Sequence, residues 1–417
     1  QYTIRNINVF VQSNNPTPAS EINTESIFSN NCFYKSAEDI YKPKRITKVI
    51  SLEPGKLYTH TQHENTIRYL QGMNAFRSVE LSFREVDDST RQLDAHINLV
   101  PLRPVQTGLE FNFSTKSNDF LGPEVIASAG HTNIFKGGEQ LVVQVSGGFE
   151  WQKRSKREEY ELGFNSYEIG TQLKLKFPRF LVPFSIKNQS TKYVPTTTAL
   201  IGFSTLRRVR YFNMNMSQIG FGYSWRTSPK RQFEIQPVAF NYVRLTQTSE
   251  EFDEYLNQYP QVAKSFEEQL IFGSMYSYTY THNPKSNPLN QFYYSATLDL
   301  AGNLINAIYN IANLKEPGSD ETGEMFGIPY SQYIKLTNDL RYYLYITEKH
   351  KVASRLLAGV GIPFNNSSVL PYIKQYFAGG SQDIRAFYAR SIGPGSYSPS
   401  DSLSHVGFLD QSGEIKL

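Results

Sequence analysis

The sequence predicts a mainly β protein in which a small N-terminal α/β domain, residues 1–103, precedes an antiparallel transmembrane β-barrel, residues 104–417. Three observations predict this fold class. Apolar and polar residues alternate in successive segments after residue 104, as in strands with one apolar and one polar face. Many segments exceed the ~5–6 residues usual in soluble sheets and reach the ~9–11 that cross a bilayer. The chain is also rich in aromatic residues, with 28 Tyr and 28 Phe, as in barrels with interfacial girdles.

Composition and charge exclude other classes. Only 39% of residues are hydrophobic and 19% charged, against ~45–50% and ~25% in typical soluble domains. The 14% aromatic content argues against a disordered chain, and no run approaches the ~18 apolar residues of a membrane helix. A formal net charge of +4 predicts no nucleic-acid partner. The single cysteine, Cys32, can form neither an internal disulfide nor a cysteine-based zinc cluster.

The N-terminal domain has a mixed pattern. Residues 2–11 alternate like a strand, and residues 46–52 are predicted as a second, short strand. Residues 61–72 have helical spacing and end at a glycine. Two further strands, residues 78–84 and 92–100, follow. The order β–α–β–β predicts a three-stranded sheet covered by the helix.

The rest of the chain contains eleven predicted strands, with a twelfth beginning at Glu414. They are residues 105–115, 124–134, 139–151, 160–177, 194–207, 210–225, 231–246, 269–282, 289–301, 331–347 and 351–363. A soluble β-sandwich produces the same alternation. Strand length and the aromatic residues Tyr342, Tyr343 and Tyr345 at a strand end favour the membrane barrel.

Three segments interrupt the strand pattern. Residues 249–269 and 303–314 are predicted as loop helices over the mouth of the barrel. The basic segment 153–157 is interpreted as a solvated hairpin tip, with contact to lipid phosphates as the alternative.

Motifs of enzymes are absent from the sequence. It contains no HExxH, no GxxxxGK[ST] and no GxSxG, and its seven His have no nucleophile at a fixed offset. We therefore predict that the protein is not an enzyme and has no catalytic residue, metal or cofactor.

The most informative segment is FAGGSQDIRAF, residues 377–387, followed by Arg390 and GPGSY, residues 393–397. It lies in a connection of about fifty residues, 364–413, and connections of that length are usually functional or disordered. Ile384 and Phe387 flank Arg385, which predicts a hairpin whose apolar side chains pack while the guanidinium pairs with a carboxylate inside the barrel.

This segment resembles the lumen-inserted loop of the BamA/TamA family of outer-membrane assembly barrels, whose hallmark is an Arg-Gly-aromatic tripeptide after paired glycines. Residues 46–100 are similar to the last periplasmic POTRA domain of that family, so residues 1–103 are expected to be a POTRA domain. Further similar pieces, most like the Bacteroidetes TamL branch, are residues 118–125, 133–141, 173–184, 220–225 and 265–273.

The sequence departs from the family pattern at two places. Ala386 stands where the wider family has Gly, so the loop hairpin must accommodate a Cβ. The family barrel has about sixteen strands, so about eleven or twelve strands ending at Leu417 imply a barrel that is incomplete at its C-terminus, because open sheet edges are not tolerated in lipid.

The resemblance implies an ATP-independent outer-membrane assembly or insertion factor, with its POTRA domain in the periplasm. Its implied partners are client outer-membrane proteins, outer-membrane lipid and a TamB-like periplasmic protein. The residues assigned to the lumen loop are Gly379, Gly380, Ile384, Arg385, Phe387, Arg390, Gly393, Pro394 and Gly395. Leu109, Phe111 and Phe113 are assigned to a lateral-gate strand, and Val79, Leu81 and Phe83 to a POTRA strand edge.

Two other functions remain open from the sequence. A two-partner secretion transporter shares the architecture and the loop but passes its substrate through the pore. A soluble β-rich binding module is the third hypothesis, and it would not need detergent for extraction. For Arg385, a purely structural ion pair stands beside a gating role.

Overall fold

The computed structural model describes most of the chain. The described residues are 2–13, 25–36, 38–86, 91–115, 120–152, 165–184, 192–209, 211–258, 263, 268–282, 290–303, 305, 323–325, 328–347, 349–379, 383–387, 392 and 412–417. They form an N-terminal α/β domain and a large antiparallel sheet of twelve strands. No helix in these ranges is long and apolar enough to span a membrane.

The N-terminal domain is a five-stranded sheet with two helices. Its elements are β1 Thr3–Val11, β2 Ile27–Ser29, β3 Cys32–Ser36, α1 Pro43–Thr47, α2 His60–Gly72, β4 Phe76–Glu85 and β5 Gln92–Pro101. The strand order is β2-β3-β1-β5-β4. Strand β1 is central and parallel to both β3 and β5, while the two outer pairs are antiparallel. The alternate residues Ile7, Val9 and Val11 of β1 are fully buried in the core.

Two predictions for this domain were wrong. Residues 46–52 are not a strand, because α1 begins at Pro43, whose fixed φ favours the first turn of a helix, and buries Ile46. The sheet has five strands and not the predicted three, because the chain forms an additional hairpin, β2–β3, that was not predicted. Asn30 and Asn31, at its turn, adopt positive φ angles of 47° and 60°, as the tight turns of two-residue hairpins require.

Helix α2 was predicted correctly, within one residue at its start. Thr59 caps it by accepting a hydrogen bond from the Gln62 backbone N–H at 3.3 Å. The helix buries Tyr69 and Leu70 against the sheet. Strands β4 and β5 confirm the two strands predicted after it.

The rest of the chain forms one long sheet with short accessory strands. Its elements are β6 Val105–Thr115, β7 Phe120–His131, β8 Gln140–Gln152, β9 Asn165–Phe177, β10 Thr196–Arg208, β11 Phe212–Ser228, β12 Arg231–Thr248, α3 Glu250–Gln258, β13 Gln269–His282, β14 Asn290–Ala301, β15 Glu324–Met325, β16 Ile328–Pro329, β17 Tyr333–Tyr345, β18 Lys351–Pro363, β19 Tyr376–Phe377, β20 Ser412–Gly413 and β21 Ile415–Lys416.

The twelve strands follow one another around the sheet in the order β21-β18-β17-β14-β13-β12-β11-β10-β9-β8-β7-β6. Every neighbouring pair is antiparallel, and most registers run the full length of the strands. All eleven predicted strands are present, and the predicted twelfth pairs with β18 as β21.

The two faces of the sheet differ as the alternation predicts. Ile334 and Leu336 of β17 are exposed on the outer face, whereas Lys335 and Thr337 lie on the opposite, inner face and contact the segment after β18. We call the end of the sheet that carries the β7–β8 turn, next to the N-terminal domain, the proximal end; the other is the distal end.

Two predicted features are described only in part. Helix α3 forms the start of the predicted helical insertion 249–269 and caps the distal end of the inner face, where Phe252 packs on Tyr211 and Phe212. Most of the second predicted insertion, 303–314, and the basic segment 153–157 lie outside the described residues.

Candidate functional site

Strand β6 forms one edge of the large sheet. It pairs with β7 on one side, and no described strand pairs with its other side. The predicted gate residues Leu109, Phe111 and Phe113 share its outer face and are 60%, 75% and 68% exposed. Among the described residues, the second side of β6 lies beside an apolar surface, and a further strand can be added there.

Strand β4 forms a second open edge, in the N-terminal domain. Its residues Val79, Leu81 and Phe83 are partly buried and pack against the domain core. At one end of β4, the rings of Tyr58 and His63 lie 4.9 and 5.4 Å from the ring of Phe83. The Tyr58 hydroxyl hydrogen-bonds His63 Nδ1 at 3.1 Å, and burial, together with nearby His60, lowers the pKa of His63.

The segment that follows β18, residues 364–377, packs onto the inner face of the large sheet. Two glycines of β18 make the necessary space. The Tyr376 ring occupies the position that a Cβ on Gly359 would need, and the Leu370 side chain does the same at Gly361. Leu370 is fully buried in a cluster with Ile271, Ala301 and Tyr333 of neighbouring strands. The base of the predicted lumen loop therefore packs closely against the inner face of the large sheet.

Polar contacts hold the same segment. Lys374 Nζ forms an ion pair with Asp299 Oδ2 of β14 at 2.7 Å, and Lys335 Nζ donates to the Lys374 carbonyl at 2.6 Å. Lys335 also lies 4.1 Å from the centre of the Tyr376 ring, and the Tyr376 hydroxyl donates to the Leu336 carbonyl at 3.0 Å. These groups lie half-buried between sheet and loop, where charged hydrogen bonds contribute most.

The described part of the loop after β19 contacts strand β21. Asp383 accepts hydrogen bonds from the Gly379 backbone N–H at 3.2 Å and from Lys416 Nζ at 2.7 Å. Nearby, β19 pairs with β20. The two ends of the long connection are thus brought together beside strand β21.

The predicted loop residues are described unevenly. Gly379 adopts a φ of +91°, in the left-handed region that favours glycine. Ile384, Arg385 and Phe387 are exposed, so burial of Arg385 against a lumenal carboxylate stays a prediction. Gly380, Arg390, Gly393, Pro394 and Gly395 lie outside the described residues.

The residues that hold the base of the loop were missed by sequence analysis. Tyr376, Lys374 and Leu370 lie just before the recognisable motif and carry no motif of their own. Glycines spaced by two in strand β18, Gly359 and Gly361, were the available signal, because a glycine on a strand indicates close approach of another group.

A charged cluster lies further toward the proximal end of the inner face. Asp339 Oδ2 accepts from Arg341 at 2.7 Å and from Arg355 of the adjacent strand at 2.9 Å. Arg341 also lies 5.1 Å from the centre of the Tyr293 ring. Two guanidinium groups on one carboxylate leave this part of the inner wall with a net positive charge.

A polar cavity of about 260 Å³, with Glu168 in its lining, opens on the inner face of strands β8 to β12. Gln144, Gln172, Gly202, Gln218 and Asn241 are successive cross-strand neighbours at this height. Carboxamides can both donate and accept hydrogen bonds. The inner face is therefore polar here, whereas the outer face is apolar, which is the reverse of a soluble β-sheet domain with a buried core.

Among the described residues, no three His, Cys, Asp or Glu side chains are grouped as a metal site. The features that the structure does bring together are two open strand edges, an apolar outer face and a loop fixed to a polar inner wall. They define a membrane β-barrel architecture with an N-terminal α/β domain.

Comparison with known proteins gives the family. The Omp85 superfamily domain matches residues 133–409, and the chain belongs to this superfamily. No curated protein matches the chain.

A solved structure shares the fold, and two others match with lower scores. BamA from Haemophilus ducreyi lacking POTRA domains 1–3 is similar at 12% identity with a TM-score of 0.56, over 94% of this chain and 61% of that one. This chain thus spans about three fifths of that structure's length. CdiB from Acinetobacter baumannii matches at 9% identity and a TM-score of 0.38, over 88% of this chain and 65% of that one. CdiB from Escherichia coli matches at 10% identity and a TM-score of 0.41, over 93% of this chain and 72% of that one.

The resemblance to outer-membrane assembly barrels is thus confirmed at the level of the superfamily. Membership supports a bacterial outer-membrane barrel. Assignment to the TamL branch stays a prediction.

Proposed function

We propose that this chain is the core of an outer-membrane protein assembly factor that inserts client β-barrels without ATP. The observation that carries the proposal is membership of the Omp85 superfamily, whose domain matches residues 133–409, together with the exposed apolar face of β6. Backbone groups left unpaired in lipid cost several kcal/mol each. An incoming client strand that pairs with β6 would satisfy its own backbone and that of β6 in one step.

The second open edge suits client capture before insertion. We propose that residues 1–103 are a POTRA domain in the periplasm and that an extended client segment, or a TamB-like partner, adds to β4. Val79, Leu81 and Phe83 supply a partly exposed apolar strip beside that edge. Strand β5, next to β4, is separated from β6 by residues 102–104 only, so the two edges belong to consecutive parts of the chain.

The loop is proposed to stabilise the barrel from inside. Tyr376 and Lys374 fix its base, and we assign Arg385 and Gly379 to holding the loop inside the lumen. A barrel braced in this way keeps its shape while strands at the edge exchange partners. Lipid is the alternative cargo, moved together with a periplasmic partner.

Site-specific photo-cross-linking tests the proposal in cells that make the full-length protein. A photoreactive residue at position 111, on β6, is expected to capture client barrel proteins during their assembly. The matched control is position 201 on β10, which is also exposed on the outer face, at 58%, but lies inside the sheet. Equal capture at both positions, or capture of a single secreted protein and of no barrel protein, would contradict the proposal, the latter in favour of a two-partner secretion transporter.

A further inference from the structure

The turn between β7 and β8 is held by hydrogen bonds to the N-terminal domain. Asn133, which is buried, donates from Nδ2 to the Ile40 carbonyl at 2.8 Å, and its Oδ1 accepts from the Gly138 backbone N–H at 2.8 Å. Gln140 donates from Nε2 to the Asn74 carbonyl, also at 2.8 Å. The turn is thus held by two separate parts of the N-terminal domain, the segment before α1 and the end of α2.

The connection between β9 and β10 packs against the same surface. Val194 contacts the core of the N-terminal domain, and its Cγ2 would lie 2.9 Å from a Cβ on Gly72, at the end of α2. Pro178 and Ala75 both border Gly138, so the two connections and the domain meet at one point.

A buried ion pair joins the two connections at that point. Glu139 accepts from Arg179 at 2.7 Å, and its side chain is only 2% exposed. The same carboxylate accepts from the Gly137 backbone N–H at 2.7 Å. The carbonyl of Arg179 is fixed in turn by the buried Thr197 hydroxyl, at 2.7 Å. A carboxylate buried this deeply cannot lose its cation without a large penalty, so the two connections cannot separate easily.

We propose that Glu139 and Arg179 are positioning residues that clamp the N-terminal domain at one angle to the barrel. The short linker is tied at the same place, since the Leu102 N–H donates to the Ala75 carbonyl at 3.0 Å and the Thr132 N–H to the Pro104 carbonyl at 2.8 Å. The clamp fixes the open edge of β4 relative to that of β6. A role of the clamp in transferring a client between these edges rests on the proposed function. The fixed angle between the N-terminal domain and the barrel does not depend on that function.

The chain offers a matched control. Lys136 and Asp39 also form an ion pair across this interface, at 2.5 Å, but both side chains are largely exposed. Exposed ion pairs contribute little, so Lys136→Ala should leave the angle unchanged while Glu139→Gln releases it.

Distances between two spin labels measure the angle directly in the full-length protein in lipid bilayers. Labels are placed on Glu80→Cys, exposed on β4, and Lys230→Cys, exposed in the β11–β12 turn. The native Cys32 does not interfere, because it is buried and burial raises the pKa of its thiol to about 12.

Wild type and Lys136→Ala are expected to give one narrow distance distribution, and Glu139→Gln a broadened or two-component one. Arg179→Lys keeps the charge and should remain close to wild type. The double variant Glu139→Gln/Arg179→Met avoids an unpaired buried charge and should still be broad. Narrow distributions in both Glu139→Gln and the double variant would overturn the clamp. Cross-linking of clients at position 111 is scored separately, so failure of the proposed function is distinguishable from failure of the clamp.

Discussion

The ring of Tyr376 fills the space above Gly359 that any larger residue would need. Gly359 lies in β18 and Tyr376 in the connection that follows it, and their contact places the base of the loop on the inner wall. Since the Tyr376 hydroxyl also donates to the Leu336 carbonyl, the ring is held both by shape and by a hydrogen bond.

Adding a Cβ at this position should therefore dislodge the base of the loop. Gly359→Ala is expected to destabilise the barrel by about 1–3 kcal/mol, as overpacking usually does. The loss is measured as a lower temperature of heat-modifiable migration and as faster proteolysis after Lys374. Gly220→Ala is the control, because a Cβ there meets its nearest neighbour at an ordinary 3.8 Å. Equal effects of both variants would show that the contact with Tyr376 does not matter.

The ion pair of Lys374 with Asp299 is the second contact that anchors the base of the loop. Lys374→Met leaves a carboxylate that is only 14% exposed without this partner, which we expect to cost about 1–3 kcal/mol. Proteolysis of residues 364–377 by a protease that cleaves after aromatic residues should accelerate, while Lys349→Met, in an exposed turn, should behave as wild type. An unchanged cleavage rate in Lys374→Met would exclude the ion pair as an anchor.

The N-terminal domain is expected to lose stability in mild acid through His63. Burial lowers the pKa of His63 in the folded domain, so folding favours the neutral ring. This contribution is complete above the unfolded pKa of about 6.5 and is lost as the pH falls through the lower folded pKa. Urea unfolding of the domain at pH 5 to 8, followed by limited proteolysis, measures it. His63→Gln should flatten the pH dependence, whereas His350→Gln, in a hairpin of the large sheet, should retain it.

The open edge of β4 can be blocked without touching the core. Lysine on an edge strand discourages strand addition, so Ser82→Lys, at an exposed position of β4, is expected to reduce client cross-linking at position 111. Ser29→Lys places the same charge on β2, at the opposite edge of the same sheet. If both variants reduce cross-linking to the same extent, β4 is not the capture edge.

The long strands could be predicted from the sequence because alternation over about ten residues fixes both the strand and the face it buries. The hairpin β2–β3 could not, since Asn30 and Asn31 turn the chain within a polar stretch that lacks an apolar pattern. The residues that anchor the loop could not be predicted from the sequence either. Lys374 meets Asp299 across 75 residues of sequence, and only the order of strands in the sheet brings them together.

The central claim, that this barrel assembles other barrels, is tested most directly by depleting the full-length protein in its own organism. Outer-membrane protein and lipid composition are then quantified, with wild type and Arg385→Ala as complementing genes. The account predicts broad loss of barrel proteins that wild type restores and Arg385→Ala does not. Unchanged membrane composition with one missing secreted protein would contradict it and identify a secretion transporter instead.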